Sequence, residues 1–392
     1  MDAQERIDRA VRLAPTPDDE VPVAPLIITY TARLAGVNQA EIFASVDGWR
    51  RAVDRAADRI GPPDMGFALW PRDVPFSEGM KHKLPGRELG DDELFQIIEE
   101  EIMTPADYER ILAEGYGRWS MDYFAALQPN LPAGRRGRAI VTWQFIRMAL
   151  RIRGNAGRLT KRGIVPAFYG GGYPPFDFFS LARSFAKFSE DLYDCPELVQ
   201  KACDASVDPI IKTMLQPLMV NRGKRVCIYP MRSSTTFISP KMFEERALAH
   251  LVHMVEAFVR RGITPILHCD ANWTPLLPFF REMPRGTCIL ELDEDTDIFR
   301  AKEVLGDWMC LKGNVSAVML AFGEPAEVEA YCEKLIREAG HGGGFILGSG
   351  CEVPLNARVE NVEAMFRVAR GWGRAKAAAA ATAATAATAA TA

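Results

Sequence analysis

Side chains able to bind a cation or move a proton gather at five places in the second half of the chain, each at the end of a short apolar run. They are Tyr229 and Met231, then His268, Cys269 and Asp270, then Glu291 and Asp293, then Lys312 and Asn314, and finally Cys351 and Glu352. A histidine, two cysteines and several carboxylates are the donor types that hold a borderline cation such as zinc. His268 and Asp270 are two apart, so in extended backbone both side chains point one way and Cys269 the other. With Cys351 they make three ligands, and three protein ligands with an open fourth position is the arrangement of catalytic zinc. The CxxC pairs of a structural zinc site are absent. A hydrogen-bonded His268 and a Cys351 packed as a small hydrophobe would account for the same residues without a metal.

Residues so far apart meet only if the elements carrying them converge. From residue 225 onward short β-branched or apolar runs alternate with amphipathic stretches, the signature of repeated βα units on a parallel sheet. The runs are RVCIYP (225–230), TPILH (264–268), CILEL (288–292), MCLKG (309–313) and GFILGSG (344–350). Between the first two, Ser239 and Pro240 mark a helix start, Leu248, Leu251, Val255 and Phe258 its buried stripe, and Gly262 its end. Further helices are expected near 273–275, around 297–305, and over 325–339 and 359–372. Three earlier runs, PLIITY (25–30), MGFALW (65–70) and IVPAFYGG (164–171), bring the strands to the number that closes a parallel barrel. The expected fold is therefore α/β, a (β/α)8 TIM-type barrel with an N-terminal helical extension and helical inserts at 91–127 and 178–220. Its strand C-termini form the active mouth. Residues 1–375 read as a single barrel domain, and 376–392 as a low-complexity Ala/Thr tail. The Pro/Gly-rich stretch 71–90 is long enough for a lid or binding loop.

A net charge of −4 gives no general attraction to nucleic acid or anionic lipid. No long apolar run suggests a membrane span, and the charged N-terminus is unlike a secretory signal. Eight cysteines scattered through apolar runs are the usage of reduced thiols in the cytoplasm. The basic clusters Arg135–Arg138 and Arg151–Arg162 read as solvated loops, with a docking patch for an acidic partner as the alternative. His250 and His253 fall on an outer helix and His341 in a turn at the opposite end of the barrel, so none of them joins the candidate site.

Aromatic side chains cluster after the third run, behind a GGG that permits close backbone approach. Tyr169, Tyr173, Phe176, Tyr229 and Trp273 are candidate substrate-binding residues for a flat substrate or a macrocycle face, with core packing as the competing role. Arg232, Ser233 and Ser234 are candidate polar contacts or simply a loop.

The segments LHCDANWTPLLPFF, LKGNVSAVMLAFG and ILGSGCEVPLNARVENVEAMFRVAR, with VPVAPLIITYTARLAG and YPPFDFFSLAR before them, resemble the uroporphyrinogen decarboxylase superfamily. Within it they look like the corrinoid-dependent methyltransferase branch. That resemblance implies zinc at His268, Asp270 and Cys351, a methyl group as cargo, and cobalamin as the other reactant. Two departures matter. Decarboxylases carry an MRQAGR-like arginine motif for the acidic groups of their substrate, whereas ITYTARLAG keeps only Arg33 and Gly36. Thiol-directed methyltransferases carry His-x-Cys, where this chain has Asp270 and a Cys269 one place early; Cys269, Glu291 and Glu352 stay open as ligands. A carboxylate in place of a thiolate leaves a harder cation that prefers oxygen donors. The expected reaction is thus demethylation of an O-methyl substrate, possible aryl ethers included, with the corrinoid on a separate corrinoid-binding protein, since no DxHxxG-type motif is present. The rivals are methyl transfer from methylcobalamin to a thiol, a decarboxylase-like or hydrolytic enzyme without corrinoid, and a binding protein without metal. Assembly with itself is left open.

Overall fold

Among the described residues ten strands follow one another: β1 (Met65–Gly66), β2 (Lys81–Lys83), β3 (Gln96–Ile98), β4 (Val165–Pro166), β5 (Gly171–Gly172), β6 (Arg225–Ile228), β7 (Thr264–Cys269), β8 (Ile289–Leu292), β9 (Cys310–Val315) and β10 (Phe345–Ser349). The structure is a computed structural model and describes residues 1–16, 20–77, 79–128 and 130–373; the Ala/Thr tail lies outside the described residues. Parallel pairing runs without interruption from β5 through β6, β7, β8 and β9 to β10. β6 to β10 are the five units expected from the alternating pattern.

The remaining edge is closed by the first part of the chain. Ala24 N–H donates to Leu347 O at 2.7 Å and Leu347 N–H to Pro22 O at 2.9 Å, so residues 22–26 lie beside β10. On their other side Asp64 N–H donates to Val23 O at 2.7 Å, leading into β1. β1 pairs in parallel with β4, and the stretch joining β4 to β5 reaches β6 through Tyr169 N–H to Arg225 O at 3.2 Å. Segment 22–26, β1, β4 with β5, and β6 to β10 are the eight staves of a (β/α)8 barrel with helical additions.

The early staves differ from the sequence reading. The stretch 25–30 is not a strand: the ring contact sits at 22–26, and a helix begins at Tyr30 and ends at Gly36 in the left-handed region (φ +68°). Pro22 and Pro25 lack a ladder donor, so only a short run can pair. Residues 65–70 contribute only β1, and 164–171 is split by Pro166 and the three glycines. The insert 91–127 is not helical throughout, because β3 pairs antiparallel with β2 before helices Pro105–Glu114 and Tyr116–Ala126. Nor are the basic clusters loops. All but the capping Arg162 sit on one 27-residue helix, Arg135–Lys161, whose inner stripe of Val141, Met148, Ile152, Ala156 and Leu159 is buried. That stripe is diluted by polar and small residues, which hid the period. The helix after β6 behaves as expected: Ser239 Oγ accepts from Met242 N–H at 3.2 Å, and Leu248, Leu251, Val255 and Phe258 are buried.

One buried carboxylate reinforces the ring closure. Asp64 is fully buried; it accepts from Val23 N–H at 2.8 Å and from Arg6 Nε and Nη2 at 2.9 and 2.5 Å. An Asp64→Ala change strands a partly buried guanidinium and a buried N–H together, which costs about 3 kcal/mol. Urea unfolding of the variant is expected to show a loss of that size, and a change below about 0.5 kcal/mol would mean that closure is held elsewhere.

Candidate metal centre

Three adjacent strands put three side chains at one level. In the parallel register His268 stands opposite Glu291, and Glu291 opposite Lys312. Residues so paired on neighbouring strands project to the same face. His268 Nδ1 therefore meets Glu291 Oε1 at 2.7 Å, and Lys312 Nζ donates to Glu291 Oε2 at 2.5 Å, all of it buried. A carboxylate on one ring nitrogen leaves the lone pair of the other for a cation. His268 Nε2 faces Asp270 Oδ1 at 3.2 Å and Cys351 Sγ at 3.8 Å.

Asp270 is aimed by the turn that follows β7. Ala271 sits in the left-handed region (φ +68°), and its N–H donates to Asp293 Oδ2 at 2.5 Å. Trp273 Nε1–H donates to Asp270 O at 2.8 Å, and Thr296 Oγ–H to Ala271 O at 2.8 Å. Cys351 comes from the turn after β10. Ser349 Oγ–H donates there to Cys351 O at 2.6 Å and accepts Leu26 N–H at 3.0 Å. Glu352 Oε1 accepts from Thr29 N–H and Oγ–H, each at 2.5 Å, which ties the same turn to the first stave.

One ligand atom from each of His268, Asp270 and Cys351 lies within 4.8 Å of the others. Asp270 Oδ1 is buried and makes no regular hydrogen bond; it faces His268 Nε2 at 3.2 Å as an ion-pair partner. A buried carboxylate oxygen without a donor costs free energy unless a cation meets it. An N, O and S donor set around that orphan oxygen fits zinc. Burial would lower the pKa of His268, yet Asp270, Cys351 and Glu291 together hold it well above its ordinary value. Burial pushes the Cys351 thiol up, and His268 offsets part of that rise. For Asp270 burial is outweighed by His268 and the carboxyl is held down. With no cation the imidazole itself supplies the positive charge.

The other ligand candidates take different places. Cys269 points away from the mouth into the core between strands and helices, 1% exposed, as alternation requires. Glu291 stands behind the ring on Nδ1, and Glu352 is committed to Thr29. Among the substrate-binding candidates only Tyr229 lines the cavity at the mouth. Tyr173 packs on Tyr229 from behind with ring centroids 5.3 Å apart, Phe176 packs on Phe188, Tyr169 covers Gly223, and Trp273 is enclosed by Phe243 and Phe280. Tyr173, Phe176 and Trp273 are core residues, Tyr169 is half-buried against the core, and none of the four lines this cavity. Arg232 stacks near Phe185 and Phe237, and Ser233 hydrogen-bonds Asp177. Asp177 itself was not singled out from sequence. Buried beneath the 231–233 loop, it accepts Arg232 and Ser233 N–H at 2.7 and 3.0 Å, and burial raises its carboxyl to about 7. His250 and His253 pair with Asp204 and Asp208 on a neighbouring helix, far from this chemistry.

The cavity holds about 170 Å³ of room for water-sized contents. His268, Asp270 and Cys351 line it together with Glu291 and Lys312; Leu26, Phe67, Phe168, Tyr229 and Met231 make its apolar walls. Val74 and Ser77, from the Pro/Gly-rich stretch read as a lid or binding loop, also line it. Gly171 makes room for Tyr229, since a Cβ there would come within 2.8 Å of the phenol ring. Among the described residues no helix is long and apolar enough to cross a membrane.

Fold and site together define a (β/α)8 barrel with a His/Asp/Cys cluster at its mouth. The family profile "Uroporphyrinogen decarboxylase (URO-D)" matches residues 156–372, and the chain belongs to that family. It is 28% identical over 177 residues to a uroporphyrinogen decarboxylase from Trichodesmium erythraeum, covering 45% of this chain and 48% of the relative. It is 24% identical over 200 residues to one from Erwinia tasmaniensis, covering 48% and 54%. The chain thus spans about half the length of the curated relatives it matches. A methyltransferase from Methanosarcina mazei has the same fold, with a TM-score of 0.66 at 17% identity over 95% of this chain and 99% of that one.

Burial alone would push the Glu291 carboxyl up, but the Lys312 ammonium and the His268 ring outweigh it and hold it at about 2. A depressed carboxyl contributes stability that is complete above its ordinary value of 4.5 and lost as pH falls through about 2. Urea midpoints of the metal-free protein and of Glu291→Gln should therefore converge as pH is lowered through that window. A gap that stayed constant from pH 5 to pH 2 would contradict the pairing.

Proposed function

We propose that this protein is a zinc-dependent methyltransferase of the cytoplasm that moves a methyl group from an O-methyl compound, such as an aryl methyl ether, to the corrinoid of a separate carrier protein. The observation that carries this reading is the convergence of His268 Nε2, Cys351 Sγ and the buried Asp270 Oδ1 in the lining of a largely apolar cavity. These three residues would hold the metal, and zinc bound there supplies Lewis acidity at the substrate oxygen. Glu291 orients the imidazole and Asp293 aims Asp270 through Ala271 N–H. Phe67, Phe168 and Tyr229 offer flat apolar walls to an aryl group and exclude bulk water from the site. The likeness of the whole fold to a methyltransferase is a further support. The open top of the barrel is where the carrier protein would deliver its corrinoid.

Family membership favours a second reading, decarboxylation of a porphyrinogen, and the cavity argues against it. A substrate with many carboxylates needs many cationic partners. Among the described residues Lys312 is the only lysine or arginine in the lining, and it is committed to Glu291. Arg33, all that remains of the arginine motif, is exposed on the Tyr30–Ala35 helix and is not part of the lining.

Purified protein is expected to take up about one zinc per chain. Cys351→Ala should abolish uptake and His268→Ala weaken it greatly, each with loss of methyl transfer from methyl ethers to free cob(I)alamin followed by absorbance. Unaltered metal content in both variants would remove the site. A zinc–sulfur bond from a bound substrate analogue, read by X-ray absorption, would overturn the choice of an oxygen substrate.

A further inference from the structure

Lys312 is 3% exposed, and burying an ammonium costs several kcal/mol unless it is well paired. Its Nζ takes Glu291 Oε2 at 2.5 Å while Oε1 of the same carboxylate takes His268 Nδ1 at 2.7 Å. The stem of the lysine runs past Gly348, where a Cβ would come within 3.4 Å of two of its carbons, so the next strand leaves a lane for it. A carboxylate with both oxygens engaged cannot turn about its last bond, and the imidazole bonded to it cannot turn either. We infer that Lys312 is a positioning residue: acting through Glu291, it fixes the His268 ring with Nε2 toward Asp270 and Cys351.

The inference rests on the zinc reading above. With zinc bound, Asp270, Glu291 and a Cys351 thiolate carry three negative charges, and zinc and Lys312 three positive ones, so the buried centre is neutral. The charge balance makes the test informative. If the lysine acted only as a nearby charge, its removal would tighten binding of a dication. If it positions the ring, removal weakens binding. The sign separates the two roles.

Zinc affinity is measured by chelator competition on the full chain for wild type, Lys312→Met, Lys312→Arg, Glu291→Gln and the Lys312→Met/Glu291→Gln double variant. Circular dichroism and thermal unfolding report that each is folded. Lys312→Met is expected to bind about tenfold more weakly, and Lys312→Arg within about threefold of wild type. The double variant should be no weaker than Glu291→Gln alone, because the lysine acts only through that carboxylate. In zinc-loaded protein labelled with ¹⁵N-histidine, the His268 Nδ1–H resonance should persist in wild type and Lys312→Arg and broaden in Lys312→Met. Should Lys312→Met not fold, Lys312→Gln takes its place with the same expectation. Unchanged or tighter binding in Lys312→Met, or losses that add in the double variant, overturns the inference. A wild type that takes up no zinc overturns the functional reading and this role with it, whereas normal uptake with an indifferent Lys312 overturns this role alone.

Discussion

The centre exists because the sheet curls. His268 is on β7 and Cys351 follows β10, three strand spacings away, which in a flat sheet is about 14 Å. In this ring Nε2 and Sγ are 3.8 Å apart. Closure through segment 22–26 enforces that curvature, and the same segment grips the Cys351 turn through Leu26 and Thr29. Asp64, with Arg6 and Val23 N–H, holds the other side of the closing stave. Ligand geometry at the mouth and ion pairing near the first stave are therefore parts of one mechanical problem.

Within the ring, register does the finer placement. A parallel ladder gives each side chain a fixed height, so β7, β8 and β9 deliver His268, Glu291 and Lys312 as a row without any loop to adjust them. Asp270 and Cys351 come from turns instead, and those turns are fastened by specific groups. Asp293 and Thr296 hold the first, Ser349 and Glu352 the second. Rigid strand residues support the ring from behind, while turn residues reach over it from above. The division explains why Trp273 is buried beside the site yet offers nothing to the cavity: its indole N–H is spent on the Asp270 carbonyl.

The second half of the barrel was legible because its strands are short, fully buried and separated by well-capped helices, so Ser239, Pro240 and Gly262 each mark a boundary the structure keeps. The cluster was legible for a related reason, since residues ending such strands have one place to go. The early staves were not, because Pro22, Pro25 and Pro166 reduce them to a few ladder bonds and side-chain bonds such as Asp64 to Val23 do the rest. The helix over 135–161 escaped because its polar outer face carries Ile140, Trp143, Ile146 and Leu150 exposed, which blurs its period. Most of the aromatics misled, since segment composition does not tell which way each side chain leaves the backbone. Lys312 and Asp177 left a fainter trace: a lysine within an apolar strand run and an aspartate amid phenylalanines are each costly to bury alone, and that cost is the signal.

What the family fold leaves open, the mouth decides. A barrel of this kind sets eight strand ends around one cavity, and the lining determines which substrates the site can meet. Here the walls are aliphatic and aromatic, Lys312, the one lysine or arginine of the lining among the described residues, is already paired, and Arg33 faces solvent. A polyanion entering such a cavity would shed its hydration without gaining partners, at several kcal/mol per unpaired charge. A neutral, flat molecule with one oxygen to present has the opposite balance, because its apolar surface gains from burial and its oxygen would meet a cation held by His268, Asp270 and Cys351. On this balance the cavity suits the proposed ether better than the polyanion that the family's name suggests.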